Sequence, residues 1–178
     1  MKTKYIKGGS KLLLFIIIIL VLLILTVIAV IGYLLFFGGD YEEVYQNREI
    51  VDPTKNLSVE ESVQKFDETF IYYVLYSIKA YNLHEPPLSS DKPKIAFYVE
   101  NEAYNAIIDE GEILVSKGDL SGIDIIIRTT KEEAVKMIKD KDYIETSFRL
   151  KRSGLELVAG KTKLASKGYL QLYRQLTG

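Results

Sequence analysis

The sequence predicts an α+β domain behind a single N-terminal transmembrane helix, with a mostly antiparallel sheet and helices packed on one of its faces. Three observations predict it. Residues 12–37 form an apolar run without charge or Pro. At residue 94 the apolar spacing changes from the three-and-four pattern of helices to the alternation of strands. Two capping boxes, Ser58-Val59-Glu60-Glu61 and Thr130-Lys131-Glu132-Glu133, open helices on either side of the strand region.

The apolar run comes first. A bilayer core about 30 Å thick needs roughly 20 helical residues, and the 26 residues of 12–37 exceed that. A helix is required because lipid offers backbone groups no partner. A buried core helix of a soluble protein would keep a polar face. Lys2, Lys4, Lys7 and Lys11 precede the run, whereas Asp40, Glu42 and Glu43 follow it before Arg48. That asymmetry places 1–11 in the cytoplasm as a basic tail and the remainder outside the cell membrane. A removable signal peptide has a shorter apolar region and a small-residue cleavage site, a poor match to Gly38-Gly39-Asp40. Lys7-Gly8 before an apolar stretch offers a prepilin-type leader as a further alternative.

Residues 38–57 read as a juxtamembrane connector, kept wet by Asp40, Glu42, Glu43, Asn47, Arg48 and Glu49 and broken by Pro53. Tyr41 and Tyr45 suit the headgroup level. The domain proper spans 58–178. Val59, Val63, Phe66, Phe70, Val74, Ile78 and Tyr81 mark one apolar face of a single helix over about 58–82. A Pro- and Ser-rich loop covers 82–93. Strands follow at 94–100, 103–108, 113–116 and 123–129, with Gly111 suited to positive φ in the turn between the second and third. Their short connections predict an antiparallel meander. Helices are expected at 131–140 and 142–152, short strands at 155–159 and 162–165, and a closing helix at 168–176.

Composition narrows the function. Beyond residue 11 the chain has 19 Lys and Arg against 24 acidic residues, a formal charge of −5, which argues against nucleic acid. The absence of Cys excludes disulfides, thiolate metal sites and a Cys nucleophile. Asn56-Leu57-Ser58 is a formal glycosylation sequon.

The stretch from about 95 to 177 resembles the sterol carrier protein 2 family. FYVENEAYNAIIDEGEILVSKG carries the strands and Gly turn, DIIIRTTKEEAVKMI the strand led by Asp124 and the capped helix, and SGLELVAGKTKLASKGYLQLY the end. The last segment departs from the pattern by reading as a hairpin where the family has one strand. The resemblance implies a five-stranded antiparallel sheet with helices covering one face. It also implies an apolar tunnel for a fatty acyl chain, sterol or other lipid, with no catalytic residue and no cofactor.

Catalytic signals are weak. His84 stands alone in the Pro-rich loop. Asp109, Glu110 and Glu112 occupy a turn too short for an EF-hand. Ser116, Ser121, Ser153 and Ser166 lack a nucleophile-elbow setting, and Gly8-Gly9 lacks a phosphate-loop context. Glu132-Glu133 suits a helix start. The expected function is therefore non-enzymatic, without cofactor or metal: a membrane-anchored extracytoplasmic domain that binds lipid or another apolar ligand. From apolar facing, Phe66, Phe70, Val74, Phe97, Ile107, Ile138 and Phe148 would line its cavity. The alternative is an interaction or structural module of the cell envelope, with a filled core. It would present Tyr72, Tyr73 and Tyr76 to an envelope protein or a second copy, and at least one of these rings should be exposed.

Overall fold

Residues 9–37 and 50–177 are described by the structure, a computed structural model of the chain. They fall in two units. The expectations for residues 1–8 and 38–49 lie outside the described residues.

The first unit is helix α1 (Gly9–Phe37), about 43 Å long at 1.5 Å per residue. From Leu13 to Ile31 its side chains are exposed, and Leu13–Gly32 is long and apolar enough to cross a membrane. Thr26 donates its hydroxyl to Leu23 O at 2.8 Å, so the polar side chain is satisfied within the helix.

In the second unit the element order is helical, then strands, then mixed. Helices α2 (Val59–Gln64) and α3 (Glu68–Ser77) lead through a 3-10 turn (Ala80–Asn82) to strands β1 (Lys94–Val99), β2 (Glu102–Asp109), β3 (Glu112–Lys117) and β4 (Ile125–Thr129). Helices α4 (Lys131–Lys139) and α5 (Tyr143–Arg149), strand β5 (Gly154–Leu157) and helices α6 (Lys161–Ser166) and α7 (Tyr169–Thr177) complete it. The α+β class holds: one mixed five-stranded sheet with helices packed against it.

Three local expectations are corrected. The single helix over 58–82 is two. Ser58 forms the anticipated capping box with Glu61, but Asp67 starts a new helix by accepting from Thr69 N at 2.9 Å. Such a cap is worth about 1 kcal/mol. The sheet is not a simple meander. Its order is β3-β2-β1-β4-β5, and β4 lies parallel to β1 while the other pairs are antiparallel. Residues 118–124 return across the face that carries Lys94, Ala96 and Tyr98, where Asp119 accepts from Tyr98 OH. The uninterrupted Ile125-Ile126-Ile127 suits a strand buried on both faces rather than an edge. The third correction concerns 162–165, expected as a strand and found in α6, where Leu164 N donates to Gly160 O. Strand β5 cannot continue into it, because Val158 N and Ala159 N both turn to Asp124 O at 2.9 Å.

Segment 52–57, read as connector, packs onto the folded unit. Thr54 is buried, and Lys139 Nζ donates to Leu57 O at 2.6 Å and Thr54 O at 3.4 Å. The β2–β3 turn is as expected: Glu110 and Gly111 both have positive φ (47° and 83°), as the two-residue hairpin requires.

The register sorts the sheet's faces. Ile95, Phe97 and Val99, Tyr104, Ala106 and Ile108, Ile113, and Ile125 and Ile127 face the helices and join their apolar residues in one core. At one end of this face Glu102 meets Lys117 Nζ at 2.6 Å, Lys131 Nζ, and Tyr104 OH at 2.9 Å. Lys117, then Lys131, then the Tyr104 hydroxyl hold the Glu102 carboxyl down to about 2. Burial and that carboxylate push the Tyr104 phenol up.

Because the folded-state value lies below the unfolded one, Glu102 contributes its stability fully above about pH 4.5 and loses it as pH falls toward 2. Wild type should therefore exceed Glu102→Gln in urea midpoint near neutrality, with the gap closing on acidification through this window. A gap that stays constant from pH 6 to the acid limit would exclude the carboxylate charge as its source.

Candidate functional site: a cleft walled by the closing helix

The site is built from the C-terminal third of the chain. Asp124, at the start of β4, is fully buried. Its Oδ2 accepts from Lys94 N at 2.9 Å, Lys167 Nζ at 2.9 Å and Tyr169 OH at 3.3 Å. Its Oδ1 lies 3.0 Å from Lys163 Nζ, an ion pair whose angle does not make it a hydrogen bond. Lys167 is equally buried, and its ammonium has three acceptors: Asp124 Oδ2, Lys92 O at 2.8 Å and Asp91 Oδ2 at 3.1 Å. Asp91 also meets Lys163 at 2.9 Å. Lys163 above all holds the Asp91 carboxyl below its ordinary range, while Asp91 and Asp124 raise the Lys163 ammonium. Burial, then the Asp124 charge, pushes the Tyr169 phenol well up.

This cluster fixes Gly168, which lies between Lys167 and Tyr169. Gly168 takes φ +85°, a conformation that suits Gly, and turns α6 into α7. His84 N donates to Lys167 O at 3.3 Å, so the chain leaving the 3-10 turn is held against this corner. Between the turn and α7 lies a half-open cleft of about 180 Å³. Ile78, Leu83 and Leu172, all core residues, provide its apolar surface. Lys79, Asn82, Gln171 and Gln175 supply polar groups around it. Asn82 Oδ1 is buried and has no hydrogen-bond partner among protein atoms. With an apolar floor and polar groups around it, the cleft can receive a small amphipathic group.

The residues expected to line a cavity lie elsewhere. Phe66, Phe70, Val74, Phe97, Ile138 and Phe148 are at most 8 % exposed and belong to one core. Phe66 stacks on Phe70 at 4.9 Å and meets Tyr104 edge-on at 6.3 Å. Ile107 is on the opposite sheet face, in register with Lys94 and Leu114. Tyr72, Tyr73 and Tyr76 are all half-buried against the core, so none stands fully exposed as anticipated. Tyr76 packs on Tyr81 at 5.2 Å, and burial with the Asp52 charge raises the Tyr73 phenol. His84 is half-buried beside the cleft corner, its Nδ1 3.0 Å from Glu85 O. The sequence marks Ile78 as an apolar helix position and places Leu172 within the closing helix, but it gives no sign of Asn82, Gln171 and Gln175, which carry no periodic signal.

Fold and cleft together define an α+β domain with a small amphipathic recess, in a chain that also bears a membrane-length apolar helix. No protein-family model and no curated protein matches the chain. Among eight matching chains of solved structures is sterol carrier protein 2 like 2 from Aedes aegypti, 14 % identical. The match covers 55 % of this chain and 92 % of that one, with a TM-score of 0.32. A superposition this loose decides neither family nor ligand.

The buried pair yields a mutational expectation. Lys167→Met removes the main counter-ion of Asp124 and should cost about 3–5 kcal/mol. Asp124→Asn keeps an acceptor for Lys94 N and leaves Lys167 its Asp91 partner, so it should cost less. Urea unfolding followed by tyrosine circular dichroism would measure both. A loss under about 1 kcal/mol for Lys167→Met would remove the pair from its central place.

Proposed function

We propose that the chain is a single-pass membrane protein whose folded domain, outside the cytoplasm, works by binding an amphipathic lipid-like ligand rather than by catalysis. The observation that carries this reading is the cleft beside α7: core residues Ile78, Leu83 and Leu172 form its floor, almost fully buried, among amide side chains and one Lys. An apolar tail suits the first set, and a polar end suits the amide side chains of Asn82, Gln171 and Gln175 around it. A membrane tether would hold the domain at high local concentration beside its lipid source. The cleft is smaller than the roughly 300–1,000 Å³ of common ligand pockets. It would hold the polar end and the first methylenes, and a longer chain would have to part α7 from the core.

A second reading, an envelope interaction module without a ligand cavity, is favoured by one observation. The expected lining residues Phe66, Phe70, Val74, Phe97, Ile138 and Phe148 are packed into the core.

Three measurements on the full chain apply: two test the topology and the third separates these readings. Carbonate washing should leave the protein in the membrane pellet, and external protease should remove a C-terminal tag from intact cells. Release by carbonate or a protected tag would overturn the topology. In nanodiscs, a photoactivatable acyl alcohol should cross-link to Ile78, Leu83 or Leu172, and Asn82→Leu should weaken that labelling several-fold. Adducts confined to residues 9–37 would leave the interaction module as the better reading.

A further inference from the structure

The turn after α5 is chemically unlike the rest of an acidic domain. Residues 149–152 read Arg149-Leu150-Lys151-Arg152, three cations in four positions. All four residues are exposed, Leu150 by 55 %. The backbone holds them in place. Leu150 N donates to Thr146 O, Lys151 N to Phe148 O, and Arg152 N and Ser153 N both to Ser147 O. Lys151 has φ +57°, at a place after a helix that commonly falls to Gly. Beneath the turn, the buried Ser153 hydroxyl bonds to Ser147 Oγ at 2.9 Å and Thr129 Oγ1 at 2.7 Å. The turn is therefore a braced display of one apolar tip among three cations. Nearby groups leave those charges available. Arg149 has only an exposed contact to Glu145 at 3.7 Å, and Arg152 is engaged by the neutral Tyr143, donating to its hydroxyl.

We propose that this turn is a membrane-docking surface that seats on anionic lipid headgroups, with Leu150 entering the interface. Charge complementarity selects the occupant: clustered Lys and Arg are attracted to anionic lipid, and an apolar side chain among them adds burial at the headgroup boundary. The chain supplies the proximity as well. Twelve residues separate Phe37 from Ile50, and the thirteen steps between them reach at most about 47 Å. A nucleic-acid partner fits poorly, since the cations are confined to one turn of a domain with net negative charge. This inference rests on the membrane-anchored reading proposed above and is independent of what occupies the cleft.

The chain has no Cys, so one introduced thiol gives a single probe. Full-length protein carrying Leu150→Cys, labelled with an environment-sensitive dye, would be placed in nanodiscs of phosphatidylcholine alone or mixed with phosphatidylserine. Anionic nanodiscs should shift the dye's emission to the blue and reduce iodide quenching roughly three-fold or more. The same dye at Leu88→Cys, a fully exposed leucine outside the basic turn, should not respond. Arg149→Glu with Arg152→Glu should abolish the response while circular dichroism stays unchanged. Should the charge reversal disturb folding, high salt on the unaltered background must remove the response instead. Equal quenching in both lipids would overturn the proposal, as would an equal response at Leu88 or shielding by soluble polyanion alone.

Discussion

The ion pair between Asp124 and Lys167 is the constraint on which the C-terminal half depends. Taking two charges out of water costs several kcal/mol each, and only near-complete coordination offsets it. Here the ammonium has three acceptors, while one carboxylate oxygen takes three donors and the other a second cation. Those partners come from separate parts of the chain: the start of β1, loop residues 91–92, the start of β4, α6 and α7. The Asp124 backbone adds the end of β5. One buried residue, through its carboxylate and its backbone carbonyl, therefore fixes where β4 lies, why β5 stops, and where α7 begins. Apolar contacts alone give cohesion without direction, whereas this cluster sets the register of several elements at once.

Much of the fold was legible because its local rules agree. The capping box at Ser58 forms in full, whereas at Thr130 only half of it does: Thr130 Oγ1 accepts from Glu133 N, but the Glu133 carboxylate turns instead to Tyr143, Ser147 and Lys136. The hairpin at Glu110-Gly111 forms where its chemistry required. The failures are equally local. Asp67 followed by Glu68 is a helix start in its own right, but an unbroken apolar face concealed it. Lys-Thr-Lys-Leu-Ala-Ser alternates like a strand, yet Lys163 and Lys167 must reach the same acidic cluster, and helical spacing brings them together. The parallel partnership of β1 and β4 could not come from connection length. Its trace in the sequence was the triple Ile of β4, apolar on successive positions as a central strand should be.

The candidate site was far less legible. Apolar periodicity identifies which side chains turn inward, but a filled and a hollow interior share that pattern. Phe66 and Phe70 turned inward as read, and met each other. Ile107 shows the other weakness. In a strand, parity decides facing, and Ile107 lies between two residues that point to the core. The polar groups of the cleft come from Lys79 and the 3-10 turn after it and from α7, with Asn82 and Gln171 standing 89 positions apart. Only the tertiary anchor at Lys167 brings them together, and nothing in a single sequence announces that a Lys will be buried.

The distribution of restraints also determines where such a domain can yield. The N-terminal end of α7 is tied through Gly168 and Tyr169 to the buried cluster. Beyond Tyr169, its buried residues are Leu172 and Leu176. Opening energies within a domain follow local burial and bonding, so the least costly displacement is that of an element held by few buried contacts. By contrast, α3 buries Phe70, Ile71, Val74 and Leu75 in only ten residues. Entry between α3 and the sheet would expose that whole set, whereas displacing α7 beyond Tyr169 uncovers only Leu172 and Leu176 of its own buried residues. The energetic argument and the position of the cleft therefore agree: the domain yields more readily beside its closing helix than beneath its aromatic one.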